Sequence, residues 1–321
     1  MVGKKETIWS KNFICALIAQ SCMSLGQFMV NPIMTTYADH LGASAMMTGM
    51  TTAITYGVAF AMRPITGPAI TRYNKKRLLL LGYLLIISAT CTYAASSNIF
   101  MLMIGRALHG MGLSLVGSLT LTIAGDSLPP SKMASGLGVF GMGSVFMSAI
   151  APSIGIALKD NIGFTMTFVV AAIIVMGAFF LCFLLTNKPV DKEAVKKLGA
   201  WYKNIFAKEA FVPSIANAFC STAYSLYSSY LVLYAAEKNI DNIGQFFTVY
   251  AAAVLATRPF IGKFMDKFEL SKAVYPATAF FAMSFVILYF GDTFATALAA
   301  AVVAAIGYGT MQPAMQTMCI Q

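Results

Sequence analysis

The sequence predicts an all-α protein embedded in a membrane, and composition, hydropathy and an internal repeat all point to that class. Hydrophobic residues make up 58% of the 321 residues, charged residues only 11%, and the mean hydropathy is +0.74. Soluble domains carry about 25% charged residues, so this composition excludes a soluble enzyme or a soluble binding domain. The repeat is a short segment, Arg63–Gly67, that recurs 195 residues later as Arg258–Gly262.

Ten apolar stretches are long enough to cross a bilayer, whose hydrocarbon core of about 30 Å needs about 20 helical residues. Residues 187–210 divide them into an N-terminal six-helix part (1–186) and a partial C-terminal part of four helices (211–321). We interpret 187–210 as a cytoplasmic loop, because it is rich in lysine and carries Trp201 and Tyr202 for the headgroup zone. The predicted spans are 12–36, 44–66, 78–96, 99–124, 134–157, 164–186, 211–235, 243–262, 273–291 and 294–318.

The net charge of +10 is unevenly distributed, since most of the 22 Lys and Arg residues fall in the N-terminal tail and in alternate loops. This is the positive-inside pattern, and it predicts a multi-pass protein of a bacterial plasma membrane with its N-terminus in the cytoplasm. No basic patch is interleaved with surface aromatics, so we expect no nucleic-acid partner. The six cysteines lie within apolar spans without metal-ligand spacing, so we expect no metal and no cofactor.

The repeat extends beyond its first motif and indicates a duplicated helical unit. Tyr37 in the first span corresponds to Tyr234 in the seventh, and Gly110 and Gly112 correspond to Gly307 and Gly309, with offsets of 197 against 195 for the first motif. A second six-helix unit that begins near residue 211 would extend well past residue 321. We therefore expect about ten of twelve helices in this chain, which makes it C-terminally incomplete.

The segment from Gly67 to Arg77 resembles the signature Gly-x-x-x-Asp-Arg-x-Gly-Arg-Arg of the major facilitator superfamily (MFS). Gly67, Arg72, Lys75 and Lys76 match, whereas Thr71 replaces the Asp and Asn74 replaces the second Gly. The resemblance implies a cytoplasmic latch between conformational states, and an open alternative is that the cations only set topology. The gating candidates of the two copies are Arg63, Gly67, Thr71, Arg72, Gly262, Asp266 and Lys267.

The fourth span contains Arg106-Ala107-Leu108-His109-Gly110-Met111-Gly112, which resembles the MFS signature Arg-x-x-x-Gly-x-Gly. Arg106 lies about 10–12 Å inside the span at 1.5 Å per residue. A charge at that depth is costly and therefore a functional candidate. The alternatives are snorkelling to the interface or bonding to backbone carbonyls. His109, one turn on, can titrate near neutral pH or act as a packing histidine.

The fifth span partly matches Gly-x-x-x-Gly-Pro-x-x-Gly, a pattern of MFS exporters that work by antiport. Pro152 and Gly155 match, whereas Ala151 and Met147 depart from it. The match favours export by antiport. The alternative is ordinary small-residue packing between membrane helices.

Polar side chains form stripes on the first, seventh and tenth spans, and the resemblance implies that these spans, with the fourth, line a substrate cavity. Hydrogen bonding between helices is the alternative role for each residue. A cavity rich in aromatic and amide groups suits an amphipathic organic substrate. The cavity candidates besides Arg106 and His109 are Gln20, Gln27, Asn31, Asn217, Tyr224, Tyr227, Gln312 and Gln316.

The resemblance implies an MFS-type bundle of two six-helix halves. It also implies secondary active transport of a small organic solute by alternating access. We expect an exporter that acts as a monomer in the lipid bilayer. Proton antiport would have to run through His109 or involve the missing helices, because no carboxylate lies in the middle of a span. An intramembrane enzyme is disfavoured because no paired acids or nucleophile with its base lie at membrane depth. The alternatives are an uptake permease or symporter of the same fold, or a non-transporting, transporter-like fragment.

Overall fold

The computed structural model describes residues 7–129, 132–186, 211–267 and 270–318. Within those ranges the chain forms nine helices and no strand, so the all-α prediction is confirmed. The helices are α1 Lys11–His40, α2 Ala45–Arg72, α3 Lys75–Ala95, α4 Ile99–Gly125, α5 Met133–Cys182, α6 Phe211–Glu237, α7 Gln245–Lys267, α8 Leu270–Phe290 and α9 Phe294–Met318. The predicted central loop, 187–210, lies outside the described residues.

Fewer of these helices qualify as membrane spans by length and hydropathy than the ten that the sequence predicts. In the described part of the chain six do so: α1, α3, α4, α5, α8 and α9. α2 and α6 carry many hydroxyl and other polar groups, and the described side chains of α7 cover only Gln245–Thr257, an apolar stretch shorter than a span. Because hydropathy falls when a helix directs polar groups at other helices, a spanning helix of this kind gives a weak signal.

The fifth and sixth predicted spans lie in one element, α5, which is 50 residues long and breaks at Gly163. Gly163 has φ 78° and ψ 171°, a conformation that is nearly restricted to glycine. The connection predicted at 159–163 is therefore reduced to one non-helical residue. α5 consists of a first arm, residues 133–162, and a second arm, residues 164–182.

We expect Gly163→Ala to lower the free energy of unfolding by about 1–3 kcal/mol, because a Cβ strains this backbone conformation. Thermal unfolding of the purified protein in detergent checks this. Gly177→Ala is the matched control, since Gly177 lies in the same element and an added Cβ would meet no atom within 4 Å. The control should be neutral or stabilised by up to about 1 kcal/mol, because alanine favours helix. Equal effects of both changes would contradict the strain argument.

Four helices begin at a side chain that caps the first turn. The oxygens of Ser10, Ser44, Asn74 and Asn98 accept hydrogen bonds from the backbone N–H three residues on, at 2.9–3.4 Å. α2 continues to Arg72 and α3 begins at Lys75. The connection between the predicted spans 44–66 and 78–96 therefore consists only of Tyr73 and Asn74. Asn74, which departs from the MFS signature, is thus the residue that starts α3.

The described residues form two compact units. The first comprises the described residues within Met1–Val30, Met34–Met147 and Leu158–Lys203, and the second those within Asn31–Ile33, Ser148–Ala157 and Asn204–Gln321. The core of the first unit is an apolar cluster from α1, α3, α4 and both arms of α5. Tyr83 crosses this core and donates a hydrogen bond from its hydroxyl to the carbonyl of Ala19 (3.0 Å).

The two glycines of the fourth-span motif allow α4 to contact two different neighbours closely. A Cβ on Gly110 would overlap the carbonyl oxygen of Thr55 in α2. A Cβ on Gly112 would lie 2.8 Å from the carbonyl oxygen of Gly82 and 2.5 Å from Cγ1 of Ile86, both in α3. The motif therefore fixes α4 between α2 and α3.

In the second unit the glycine that contacts the third helix of the repeat is Gly307. A Cβ there would lie 2.5 Å from the backbone N of Phe281 and 2.8 Å from the carbonyl oxygen of Ala277, both in α8. These three residues follow Gly112, Ile86 and Gly82 by 195 positions each. Packing thus pairs Gly307 with Gly112, which corrects the sequence alignment of Gly307 with Gly110 by two residues.

A second equivalence lies at the ends of α1 and α6. The Tyr37 hydroxyl donates to the carbonyls of Tyr93 (3.3 Å) and Ser96 (2.8 Å), and the Tyr234 hydroxyl donates to that of Leu288 (2.7 Å). Leu288 again follows Tyr93 by 195 residues, while the two donors are 197 apart. Each unit therefore ties its first helix to its third with the same kind of bond.

Candidate functional site

Arg106 is the eighth residue of α4 and only 1% exposed. Its Nε donates to the carbonyl of Thr51 in α2 (2.8 Å), and the Thr55 hydroxyl donates back to the carbonyl of Arg106 (3.1 Å). Its Nη1 is buried and has no hydrogen-bond partner among the described residues. The guanidinium is thus bonded through Nε to the backbone of α2, while its Nη1 remains unsatisfied within the described residues.

No described carboxylate compensates this charge. The ion pairs in the described ranges are Lys75–Asp126, Lys159–Asp160 and Lys238–Asp292, at 2.5–2.8 Å. They lie at helix ends or, for Lys159 and Asp160, just before the break in α5. The hydrogen bond that Lys238 donates to Asp292 raises the pKa of this exposed lysine. A buried charge without a counter-charge costs several kcal/mol, so Arg106 reduces the stability of the first unit.

His109 lies one turn from Arg106 and is 2% exposed. Its Nδ1 is 3.1 Å from the Tyr93 hydroxyl of α3, and the two rings stack with centroids 6.0 Å apart. The bond to Tyr93 fixes the orientation of the imidazole. Arg106, His109 and Tyr93 therefore form one buried polar cluster near the N-terminal end of α4, together with Thr51 and Thr55.

The three predicted polar residues of α1 differ in their surroundings. Gln20 is bound on both sides, since its Oε1 accepts from Thr120 (2.6 Å) and its Nε2 donates to Ser24 and Ser144 (3.4 Å each). Gln20 therefore has the alternative role given above for the polar stripes, which is hydrogen bonding between helices. Gln27 and Asn31 are half-buried, and neither has a hydrogen-bond partner among the described residues.

In α6 the structure separates Tyr227 from its neighbours in the stripe. Tyr227 is 2% exposed, pairs with the Ser284 hydroxyl (2.6 Å) and stacks on Phe285 with ring centroids 4.4 Å apart. It has the environment of a core residue. Asn217 has a buried Oδ1 without a partner in the described part of the chain.

Tyr224 is half-buried and stacks face to face on Tyr308 of α9, with ring centroids 4.2 Å apart and planes 6° apart. Tyr250 of α7 lies 5.7 Å from the Tyr224 centroid. Sequence reasoning missed Tyr250 and Tyr308, although Tyr308 stands between the two glycines of its motif. Gln312 is half-buried one turn beyond Tyr308, and the side chain of Gln316 lies outside the described residues.

The first copy of the gating motif is only partly engaged. The Thr71 hydroxyl bonds within its own helix to the carbonyl of Pro68 (2.9 Å), and Arg72 is exposed at the end of α2. A Cβ on Gly67 would meet no atom within 4 Å, so this glycine makes no close contact with another helix in the described part of the chain. Arg63 is exposed and donates from Nη1 to Ser118 of α4 (2.6 Å). In the second copy the side chains of Arg258, Gly262, Asp266 and Lys267 lie outside the described residues.

Two lysines of the same signature contact neighbouring helix ends within the first unit. Lys75 pairs with Asp126 at the end of α4 (2.5 Å). Lys76 donates to the carbonyls of Phe183 and Leu185, just after α5, at 2.7 and 2.8 Å. A lysine at this place satisfies carbonyls that a helix end leaves unpaired, so these cations do more than set topology.

Pro152 and Gly155 are buried in the first arm of α5, within the second unit. Ser153, between them, donates to the carbonyl of Gly244 (2.6 Å) and pairs with the Thr248 hydroxyl (2.9 Å). A Cβ on Gly244 would lie 3.4 Å from Cα of Ser153. The fifth-span motif therefore borders a contact with the start of α7.

Comparison with solved structures shows extensive similarity of fold. A peptide transporter POT in complex with sulfate matches with a TM-score of 0.76 and 15% identity, covering 94% of this chain and 80% of that one. A bacterial homolog of the human lysosomal transporter Spinster, inward-facing and unoccupied, matches with a TM-score of 0.74 and 16% identity, covering 98% and 76%. At these identities the likeness shows the fold alone.

Curated relatives and a family model extend the comparison to sequence. The multidrug resistance protein MdtG of Escherichia coli O17:K52:H18 (strain UMN026 / ExPEC) is 24% identical over 288 residues, which cover 85% of this chain and 70% of the relative. MdtG of Escherichia coli (strain K12 / DH10B) is 24% identical over 289 residues with the same coverage. The model of the Major Facilitator Superfamily matches residues 16–321. The chain is therefore a multi-pass membrane protein that belongs to the Major Facilitator Superfamily of transporters.

Proposed function

We propose that this chain is a secondary active exporter of small amphipathic organic molecules that works by alternating access. We place it in a bacterial plasma membrane with its N-terminus in the cytoplasm. The observation that carries the proposal concerns buried polar atoms without a partner. In the described residues these atoms are Thr36 Oγ1, Arg106 Nη1 and Asn217 Oδ1. Two of the three belong to residues selected from sequence as substrate contacts.

Buried polar groups in proteins are nearly always hydrogen-bonded, and leaving one unpaired costs about 1–3 kcal/mol. At membrane depth no bulk water relieves that cost. We therefore interpret the unpaired donor of Arg106 and the unpaired acceptor of Asn217 as groups that bind a substrate, an ion or water during the transport cycle. Gln27 and Asn31, half-buried and without partners among the described residues, extend the same argument to α1.

An amphipathic substrate is supported by the aromatic pair Tyr224–Tyr308, which offers a flat apolar surface next to the amide of Gln312. Export is supported by Pro152 and Gly155, and by the similarity to relatives named for multidrug resistance. Proton antiport is supported by the titratable pair His109–Tyr93 close to Arg106. In the proposal, a change in protonation at this pair alters how the cluster holds α2, α3 and α4.

Flux into inverted membrane vesicles tests the proposal. The full chain is expressed in a bacterium that lacks its major efflux pumps, and a pH gradient with an acidic lumen is imposed. We expect gradient-dependent accumulation of at least one of two fluorescent probes, ethidium or 5-dimethylaminonaphthalene-1-sulfonate (dansylate). Arg106→Ala should reduce it, whereas Lys238→Gln, which changes an exposed residue, should not.

Each other outcome counts against part of the proposal. Flux that is indifferent to the gradient removes proton antiport. Accumulation only in right-side-out vesicles favours uptake by a permease or symporter of the same fold. Absence of flux of both probes in folded protein contradicts export of this class of molecule.

A further inference from the structure

Arg63 is an exposed cation within the length of α2, whereas Arg72 stands at the end of the helix. It lies nine residues before the helix ends at Arg72, about 13 Å along the axis at 1.5 Å per residue. Its side chain is exposed, in contrast to the 1% exposure of Arg106. By the predicted span 44–66, this guanidinium lies about one turn from the cytoplasmic end of the span, where a long cationic side chain reaches the headgroup zone.

The guanidinium is held in place from one side. Its Nη1 donates to the Ser118 hydroxyl of α4 at 2.6 Å. Beside Ser118, a Cβ added to Gly117 would meet no atom within 4 Å, so there is open space next to the bond. Arg63 forms no ion pair with any carboxylate in the described ranges.

Two lysines of the same signature already have partners in the structure. Lys75 pairs with Asp126, and Lys76 binds the carbonyls of Phe183 and Leu185. Arg63, by comparison, has one bond among the described residues, to a neutral hydroxyl, and its other N–H donors have no partner there. An arginine has five such donors in a rigid fork that matches carboxylate, sulfonate and phosphate groups.

Membrane depth limits what the exposed side of Arg63 faces. Ionisable residues within spans face a bundle interior or a water-filled path, because contact with lipid tails is costly. Snorkelling to the headgroups is the other solution for a long cationic side chain. Headgroups supply an anionic oxygen to a snorkelling guanidinium, and a water-filled path admits one that is carried by a solute.

We propose that Arg63 binds an anionic group, with Ser118 fixing the guanidinium and the space beside Gly117 admitting the ligand. The inference deepens the proposed function and rests on it where the anion belongs to the exported molecule: the exporter then takes amphipathic molecules with a sulfonate, carboxylate or phosphate. The phosphate of an inner-leaflet phospholipid offers the same chemistry. Arg106 in this assignment stays within the protein and does not meet the anion in the conformation described.

The test compares two fluorescent probes of nearly equal shape on the full chain in phosphatidylcholine nanodiscs. Dansylate carries a sulfonate, and dansylamide replaces it by a neutral sulfonamide. We expect Arg63→Gln to weaken dansylate binding about 10- to 100-fold, as expected for loss of a hydrogen bond to a charged group, and to leave dansylamide unchanged. Arg63→Lys should bind with intermediate affinity, because it keeps the charge and loses the fork. Ser118→Ala should weaken dansylate binding less than Arg63→Gln.

A second arm identifies the source of the anion. Nanodiscs that contain phosphatidylglycerol are analysed by native mass spectrometry for lipid retained by wild type and Arg63→Gln. Loss of dansylate binding in the variant supports a substrate anion. Loss of retained phosphatidylglycerol with unchanged dansylate binding supports a lipid phosphate. If Arg63→Gln changes neither, or if both probes bind equally and independently of Arg63, the proposal is overturned.

The controls separate this inference from the proposed function. Circular dichroism and gel filtration establish that each variant is folded, and Lys238→Gln should bind both probes like wild type. Vesicle flux is measured separately from binding. Binding that depends on Arg63 without any flux would contradict the exporter and support the anion site. Flux together with binding that is independent of Arg63 would support the exporter and contradict the anion site.

Discussion

Replacement of Arg106 by methionine is expected to leave the protein at least as stable as wild type while lowering probe flux about 10- to 100-fold. The change removes a buried charge that no described carboxylate compensates, and apolar replacements of buried charged groups are often neutral or stabilising. The bond to the Thr51 carbonyl is lost, which costs about 1 kcal/mol. Flux falls because the guanidinium no longer interacts with a charge-bearing partner during the cycle, an interaction of about 1.5–3 kcal/mol.

Two measurements are needed on the same preparation: the midpoint of thermal unfolding in detergent, and vesicle flux per folded molecule. Lys238→Met is the matched control, since it removes a cation at the exposed end of α6, and it should leave both quantities near wild type. A drop in stability of more than about 2 kcal/mol with normal flux per molecule would identify Arg106 as a structural brace between α2 and α4. That result would also remove Arg106 from the transport mechanism.

Gly110→Leu and Gly112→Leu are expected to prevent the first unit from folding. Even one added carbon at these positions overlaps backbone atoms, the carbonyls of Thr55 and Gly82, and backbone cannot move aside as a flexible side chain can. Overpacking by a few carbons costs about 1–3 kcal/mol where the core yields, and a larger cost follows where two helices must separate. We expect no monodisperse protein by gel filtration after extraction in mild detergent.

Gly117→Leu serves as the control because it makes the same change in the same helix. A Cβ at Gly117 meets nothing within 4 Å, and leucine is a better helix former than glycine by up to about 1 kcal/mol. This variant should be recovered with an unfolding midpoint equal to or above wild type. Equal yields of all three variants would mean that α4 does not need its close contacts with α2 and α3.

The sequence was sufficient to predict the helical class, the internal repeat and the family, because all three rest on composition and on small motifs. It could not show that Gly110 and Gly112 contact different helices, since helical spacing alone does not identify the neighbour on each face. The packing of Gly307 on α8 corrected the alignment by two residues. Gly163 illustrates another limit: a single glycine with positive φ replaces a loop, and apolar periodicity carries no sign of it.

Polarity of residue type predicted the site only in part, because type does not specify partners. Gln20 and Tyr227 resemble Gln27 and Tyr224 in sequence, yet the first two are bonded within the helix packing. Gln27 differs in having no hydrogen-bond partner among the described residues, and Tyr224 differs in stacking on Tyr308. The sequence predicts Arg63 only as part of a gating motif. Its exposure and its bond to Ser118 depend on the packing of α2 against α4, which the sequence does not show. The gating, coupling and cavity roles assigned to these residues stay predictions.

The cluster around Arg106 bears on how the two halves diverged after duplication. The positions 195 residues beyond Arg106, His109 and Tyr93 are Ala301, Ala304 and Leu288. A point mutation to arginine at 301 would therefore not recreate the cluster, because neither its imidazole nor its phenol has a counterpart in the second half. The copies have become non-interchangeable at this place through several side chains, which a single substitution does not reverse.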